Sequence, residues 1–201
     1  MTVETRPPAT TITPDTARFD SEAAERAAAD FLAALGVDTA SESTRRTPRR
    51  MAEAFIELLS PAGFDLTTFP NERGYRQLVL ERDIPFTSLC EHHMMPFRGT
   101  AHVGYLPGAR MLGLSKLARV VDLFARRPQV QESLTQQIAD WLHDRLTPAG
   151  VGVVVQAEHT CMTLRGARAA GTSTVTSALQ GVLLTDARAR EEFFLLAREQ
   201  R

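Results

Sequence analysis

Apolar residues recur at two spacings along this chain, and the switches between them lay out its elements. An Ala-rich stretch from Asp20 or Ser21 predicts a helix to Leu35, with Glu22 favouring its first turn and Gly36 stopping it. Met51, Phe55, Leu58 and Leu59 predict a second helix, with Thr47 as N-cap, Pro48 at the first helical position and Pro61 at the end. Residues 60–74 read as loop. Residues 75–89 are strand-like with imperfect alternation and deliver Cys90 at a strand end. Phe97, Gly99, Ala101, Val103 and Tyr105 alternate cleanly and share one strand face, and Pro107-Gly108 reads as a turn.

Leu117, Val120, Val121 and Phe124 form the apolar stripe of a helix starting near Ser115. Pro128 interrupts, and Leu134, Ile138, Trp141 and Leu142 predict a further helix ended by Pro148 and Gly150. Val151 to Ala157 is a compact apolar strand running into His159 and Cys161. Thr172 to Leu179 reads as a strand and Ala187 to Arg198 as a closing helix. Hairpin-like strand pairs flanking two consecutive helices predict an α+β fold with an antiparallel sheet. Residues 1–19, rich in Thr and Pro and without a period, read as a mobile tail. Residues 20–72 read as an N-terminal helical region and 73–201 as the main domain.

The 201 residues, 43% hydrophobic and 23% charged, suit one soluble globular domain with an appendage. A formal charge of −1 argues against a general nucleic-acid binder or a membrane-surface binder. Two cysteines far apart in sequence, each inside a His-containing motif, fit reduced thiolates rather than a disulfide scaffold. Met1-Thr2-Val3-Glu4 lacks a basic or apolar leader run, and no segment reaches the roughly 18 apolar residues of a membrane span. The expectation is a cytoplasmic protein.

Candidate chemistry concentrates in Cys90-Glu91-His92-His93 and His159-Thr160-Cys161, which hold both cysteines and three of the five histidines. Thiolate and imidazole donors this close suit zinc. Spacing does not choose the ligands. An extended segment puts Cys90 and His92 on one face, and a tight turn joins Cys90 to His93; alternation at 159 and 161 places that His and Cys together. A closed structural site of Cys90, His93, His159 and Cys161 is one alternative, and packed residues without metal are another. Lys116 and Arg119 share a helix face, and Ser115 sits where free N–H groups welcome a phosphate, although such cations are commonly just solvated. Arg165 joins them only if the two regions share a cleft. Glu132 near a helix start suits the dipole, or else offers two oxygens to the N1–H and 2-amino donors of guanine. Arg126 and Arg127 read as surface charges, and His102 and His143 as structural or exposed.

Together these clusters resemble GTP cyclohydrolase I. The match runs through Ser88-Leu89-Cys90-Glu91-His92-His93, Gly113-Leu114-Ser115-Lys116-Leu117-Ala118-Arg119, Arg127-Pro128-Gln129-Val130-Gln131-Glu132, His159-Thr160-Cys161 and Arg165-Gly166. The resemblance implies a tunnelling fold, an antiparallel sheet backed by two helices, assembled as a homodecamer with sites between subunits. It implies Zn2+ on Cys90, His93 and Cys161, with His92 and His159 free for acid–base work but their roles undivided. It implies guanine anchored by Glu132 with Gln131 beside it, and triphosphate contacts from Ser115, Lys116, Arg119 and Arg165. The implied reaction converts GTP to 7,8-dihydroneopterin triphosphate and formate, feeding folate or other pterins. The competing readings are a catalytically silent GTP- or zinc-binding module, and the same enzyme serving a deazapurine pathway.

Overall fold

The computed structural model describes residues 10–13 and 19–198, and the chain divides into two compact units, Asp15–Pro61 and the remainder. Most of the stretch read as a tail, residues 1–9 and 14–18, lies outside the described residues. Between them Thr10–Ile12 form strand β1. Thr11 and Ile12 are β-branched and suit a pleated backbone, and the Thr11 hydroxyl donates to Asp65 Oδ1 at 2.7 Å.

In the Asp15–Pro61 unit, helix α1 (Ser21–Ala34) is capped by the Asp20 carboxylate, which accepts from the Ala23 N–H at 2.9 Å. Gly36 follows with φ +73°, the left-handed stop that its missing Cβ allows. Helix α2 (Thr47–Leu58) begins one residue earlier than its sequence suggests: Arg46 holds the capping position and Thr47 is already helical, because the preceding turn feeds directly into it through Thr47 N–H to Thr44 O. Phe31, Phe55, Ile56 and Leu59 line an apolar groove between the two helices.

The other unit is built on a five-stranded sheet. Residues 60–74, expected as loop, carry β2 (Phe64–Leu66), paired with β1, and β3 (Thr68–Pro70). Strand β4 (Val79–Cys90) pairs with β5 (Pro96–Leu106), and the short β6 (Arg110–Leu112) pairs back to β3. Then come α3 (Ser115–Ala125), the two-residue β7 (Pro128–Gln129) and α4 (Gln131–Leu146). Strand β8 (Gly150–His159), the single turn α5 (Thr160–Thr163), β9 (Thr174–Gly181), the turn α6 (Val182–Thr185) and α7 (Ala187–Ala197) complete the chain. The sheet order is β7-β4-β5-β8-β9, antiparallel except for the β4–β7 pair. The imperfect alternation of β4 has a cause: its register shifts between Glu81 and Ile84, where Asp83 takes φ +57° as in a bulge.

Alternation in β5 puts Phe97, Ala101, Val103 and Tyr105 fully inside, against Leu117, Val120 and Val121 of α3 and Leu134, Ile138 and Leu142 of α4. Each of the Val, Leu, Ile and Phe side chains among them contributes about 1.5–3 kcal/mol by leaving water. Leu183, Phe193 and Ala197 pack as a second cluster with Val154 and Leu179. Gly152 makes that contact possible, since a Cβ there would stand 2.7 Å from the Phe193 ring. The result is the expected α+β fold, a mainly antiparallel sheet backed by two helices. Among the described residues, no helix is long and apolar enough to cross a membrane.

Candidate functional site

Cys90 ends β4 with sheet partners on both sides, Leu89 lying opposite Pro96 in β5 and Cys90 opposite Gln129 in β7. The chain then folds back on itself. The N–H groups of His93 and Met94 both donate to the Cys90 carbonyl, at 3.2 and 2.8 Å, and Met94 takes φ +53°. This tight turn, rather than an extended run, sets the side-chain directions. It leaves Cys90 Sγ 3.8 Å from His93 Nδ1 and 3.9 Å from His92 Nδ1.

The second cysteine arrives from the far side of β5. Strand β8 stops at His159, and α5 carries Cys161, so the strand alternation expected through residue 161 gives way to a helical turn. The Thr160 hydroxyl donates to the Pro96 carbonyl and pins that turn to the start of β5. One donor atom from each of Cys90, His93 and Cys161 then lies within 4.8 Å of the other two. His92 and His159 stand outside this group; His92 is largely exposed, with Nε2 3.9 Å from Glu91.

Electrostatics fit a cation at this point. Burial first, and then the neighbouring Cys90 sulfur, push the Cys161 thiol up, while Arg165 pulls it down. A thiol whose ionisation is opposed by burial and a neighbouring sulfur, as at Cys161, becomes a stable thiolate when a dication neutralises it. Two sulfurs and an imidazole are the donor set zinc prefers, and three protein ligands leave a fourth position open.

Beside this group sits His159. Its ring stacks on Phe97 with centroids 4.5 Å apart, and its Nε2 lies 2.8 Å from Gln131 Oε1. Burial holds its pKa below the ordinary histidine value, opposed in part by the charge of Glu132. The first turn of α4 therefore presents two adjacent residues in opposite ways. Gln131 is 1% exposed, and Glu132 is open to solvent.

The structure places the remaining candidates more loosely. Ser115 and Arg119 are exposed and Lys116 is half-buried at the start of α3, which has no side-chain cap. Among the described residues none of these three makes a side-chain hydrogen bond or ion pair. Arg165 is exposed in the loop after α5, close enough to act on Cys161. Arg126 bonds Asp122 at 2.7 Å, and Arg127 lies over the Phe124 ring at 5.1 Å, as structural charges do. His102 is buried and accepts from the Asp83 N–H at 3.3 Å, next to the β4 bulge. A cavity of about 570 Å³ lined by Arg98, Gln156 and Glu158 is bordered by none of the cluster residues.

Three participants escape sequence reasoning. Phe97 is visible in the sequence only as a core position of β5, and Thr135 and Thr176 only as a helix residue and a strand residue. Only the register Phe97↔His159 and the packing of α4 across β9 bring them to the site.

A family model described as GTP cyclohydrolase I matches residues 24–198. The chain is similar to the protein named GTP cyclohydrolase 1 of Aquifex aeolicus (strain VF5), 48% identical over 180 residues, covering 90% of this chain and 98% of that protein. It is 51% identical over 183 residues to the GTP cyclohydrolase 1 of Mycolicibacterium vanbaalenii, covering 88% and 90%. Against that of Mycobacterium leprae (strain TN) it is 50% identical over 179 residues, covering 87% of each.

Proposed function

The chain belongs to the GTP cyclohydrolase I family and has GTP cyclohydrolase activity, and we propose that Cys90, His93 and Cys161 hold its zinc ion while His159 and His92 handle protons beside it. The observation that carries this reading is the convergence of three donor atoms from two distant chain segments, with His159 two residues from one of them. Zinc, when bound, supplies a Lewis acid that makes water nucleophilic near neutral pH.

The protein's own groups do the rest. Guanine C8 is a poor electrophile until N7 carries a proton, and an imidazole with a pKa near the working pH suits that donation. Water then adds at C8 and one C8–N bond breaks to leave a formamide. A second water adds to that carbon, the other C8–N bond breaks, and C8 leaves as formate. The ribose opens, rearranges and closes on the exposed amine to give 7,8-dihydroneopterin triphosphate. Glu132, exposed at the start of α4, accepts from guanine N1–H and the 2-amino group. Ser115, Lys116, Arg119 and Arg165 take the triphosphate at the positive end of α3.

We propose further that the site is completed between copies in a homo-oligomer, the decamer that the resemblance implies. The two outer strands support this. Among the described residues, β7 pairs with only the last two residues of β4 and β9 pairs along one side, so most of β4 and all of β9 keep an open edge there. Such edges call for a neighbour. The unpartnered Ser115, Lys116 and Arg119 fit a phosphate site that one chain leaves incomplete.

Two variants test the division of roles. Cys161→Ala loses zinc and formate release together. His159→Ala keeps zinc and loses turnover by about 10²–10⁴-fold; loss of zinc from His159→Ala would overturn the assignment.

A further inference from the structure

Resting on that reading, we propose that Gln131 is a positioning residue: its buried amide selects the tautomer of His159, so that Nδ1 is the nitrogen left to exchange protons with substrate.

The hydrogen bonds around Gln131 permit one orientation. Its Nε2 lies 3.0 Å from the Val155 carbonyl, 3.0 Å from the Thr174 carbonyl and 3.1 Å from Thr176 Oγ1. Carbonyl oxygens only accept, so this end of the amide is the NH2 group, and a flipped amide would set oxygen against oxygen in a buried place. The hydroxyls agree with this direction. Thr135 gives its one proton to the Gln131 backbone carbonyl at 2.7 Å. In the 2.6 Å contact between Thr135 and Thr176, Thr176 must therefore be the donor. That leaves a Thr176 lone pair to accept from Gln131. The two Gln131 amide protons are shared among these three acceptors, and the Gln131 carbonyl oxygen is the atom that faces His159 Nε2 at 2.8 Å.

A carbonyl oxygen opposite Nε2 requires Nε2 to carry hydrogen. In a neutral imidazole the other nitrogen, Nδ1, then holds a bare lone pair. The ring plane is set separately by Phe97, whose ring lies 6° from parallel with it. Plane and tautomer are thus both dictated by buried side chains. Gln131, at 1% exposure, has no surface to offer substrate, whereas Glu132 beside it does. Adjacent helix residues point about 100° apart, so one faces the sheet and the other the solvent.

The test uses the zinc-loaded protein and three variants. Gln131→Met keeps the volume and removes both ends of the amide. Gln131→Glu keeps an acceptor towards His159. Thr176→Val removes one acceptor from the amide nitrogen and touches neither His159 nor substrate. In protein labelled with 15N-histidine, the signal absent from His159→Asn reports the tautomer of His159. In the wild type we expect Nε2–H. In Gln131→Met we expect a mixture of tautomers, with kcat for formate release down about 10- to 100-fold, KM for GTP unchanged within about threefold and zinc retained. Gln131→Glu should recover part of kcat. Thr176→Val should move both readouts the same way but less, and it carries the test if Gln131→Met fails to fold. An Nδ1–H tautomer in the wild type, an unchanged tautomer in Gln131→Met, or a rise in KM with kcat intact would overturn the proposal. Absence of formate from the wild type would instead sink the functional reading, while the 15N spectrum would still decide the tautomer.

Discussion

Phe97 and His159 lie face to face, centroids 4.5 Å apart and planes 6° from parallel, as opposite members of the β5–β8 ladder. Phe97 is fully buried. A core residue on the strand between the two cysteine segments therefore doubles as the platform for the histidine proposed to move protons. Replacing it with Phe97→Leu keeps an apolar filler and removes the flat surface. We expect a stability loss of about 1–3 kcal/mol by thermal or urea unfolding. We expect kcat about tenfold lower, with zinc content unchanged. Wild-type kcat in that variant would show that the stack is packing alone.

Glu132 is open to solvent two residues after Val130, the cap of α4. If its carboxylate accepts two donors from guanine, Glu132→Gln replaces one acceptor by a donor and removes the charge. The expected loss in kcat/KM for GTP is about 10- to 100-fold, the worth of about 1.5–3 kcal/mol for a hydrogen bond to a charged group. Inosine triphosphate, which lacks the 2-amino group, should lose less. Steady-state kinetics on both nucleotides decide it; equal losses would contradict the bidentate reading.

The long periodic segments are legible in the sequence. The stripes of α3 and α4 and the alternation of β5 appear where the pattern puts them, because each buries a whole face. The short strands β2, β3, β6 and β7 were not legible, since two or three residues carry no period and exist only through their partners. The same limit applied to the site. Spacing left His92 and His93 equivalent, and the turn closed by two N–H groups on the Cys90 carbonyl brings His93 into the donor group. Gln131 read as a companion of Glu132 on the substrate; its burial under β8 and β9 is a fact of tertiary packing that no local pattern carries.

Asp186 caps α7 by accepting from the N–H groups of Arg188 and Ala189 at 2.8 and 3.0 Å, and these bonds hold its carboxyl below the ordinary value. A depressed folded-state pKa means that the unfolded chain binds the proton more readily. The cap's contribution is therefore present above about pH 4 and fades as the pH falls through the lower folded value. Asp186→Asn keeps a capping oxygen that does not titrate. Below about pH 4 the stability gap between wild type and Asp186→Asn should narrow as acid is added; a gap that does not move with pH would contradict the cap.

Formate release from GTP, followed on the purified protein with its metal present, stripped by chelator, and restored with Zn2+, tests the central claim most directly. The account predicts formate, and a product that becomes fluorescent on oxidation, in the first state. It predicts neither in the second and recovery of both in the third, with Cys161→Ala inert throughout. A protein with full zinc occupancy that binds GTP without releasing formate, or one whose turnover is indifferent to chelation, would contradict it.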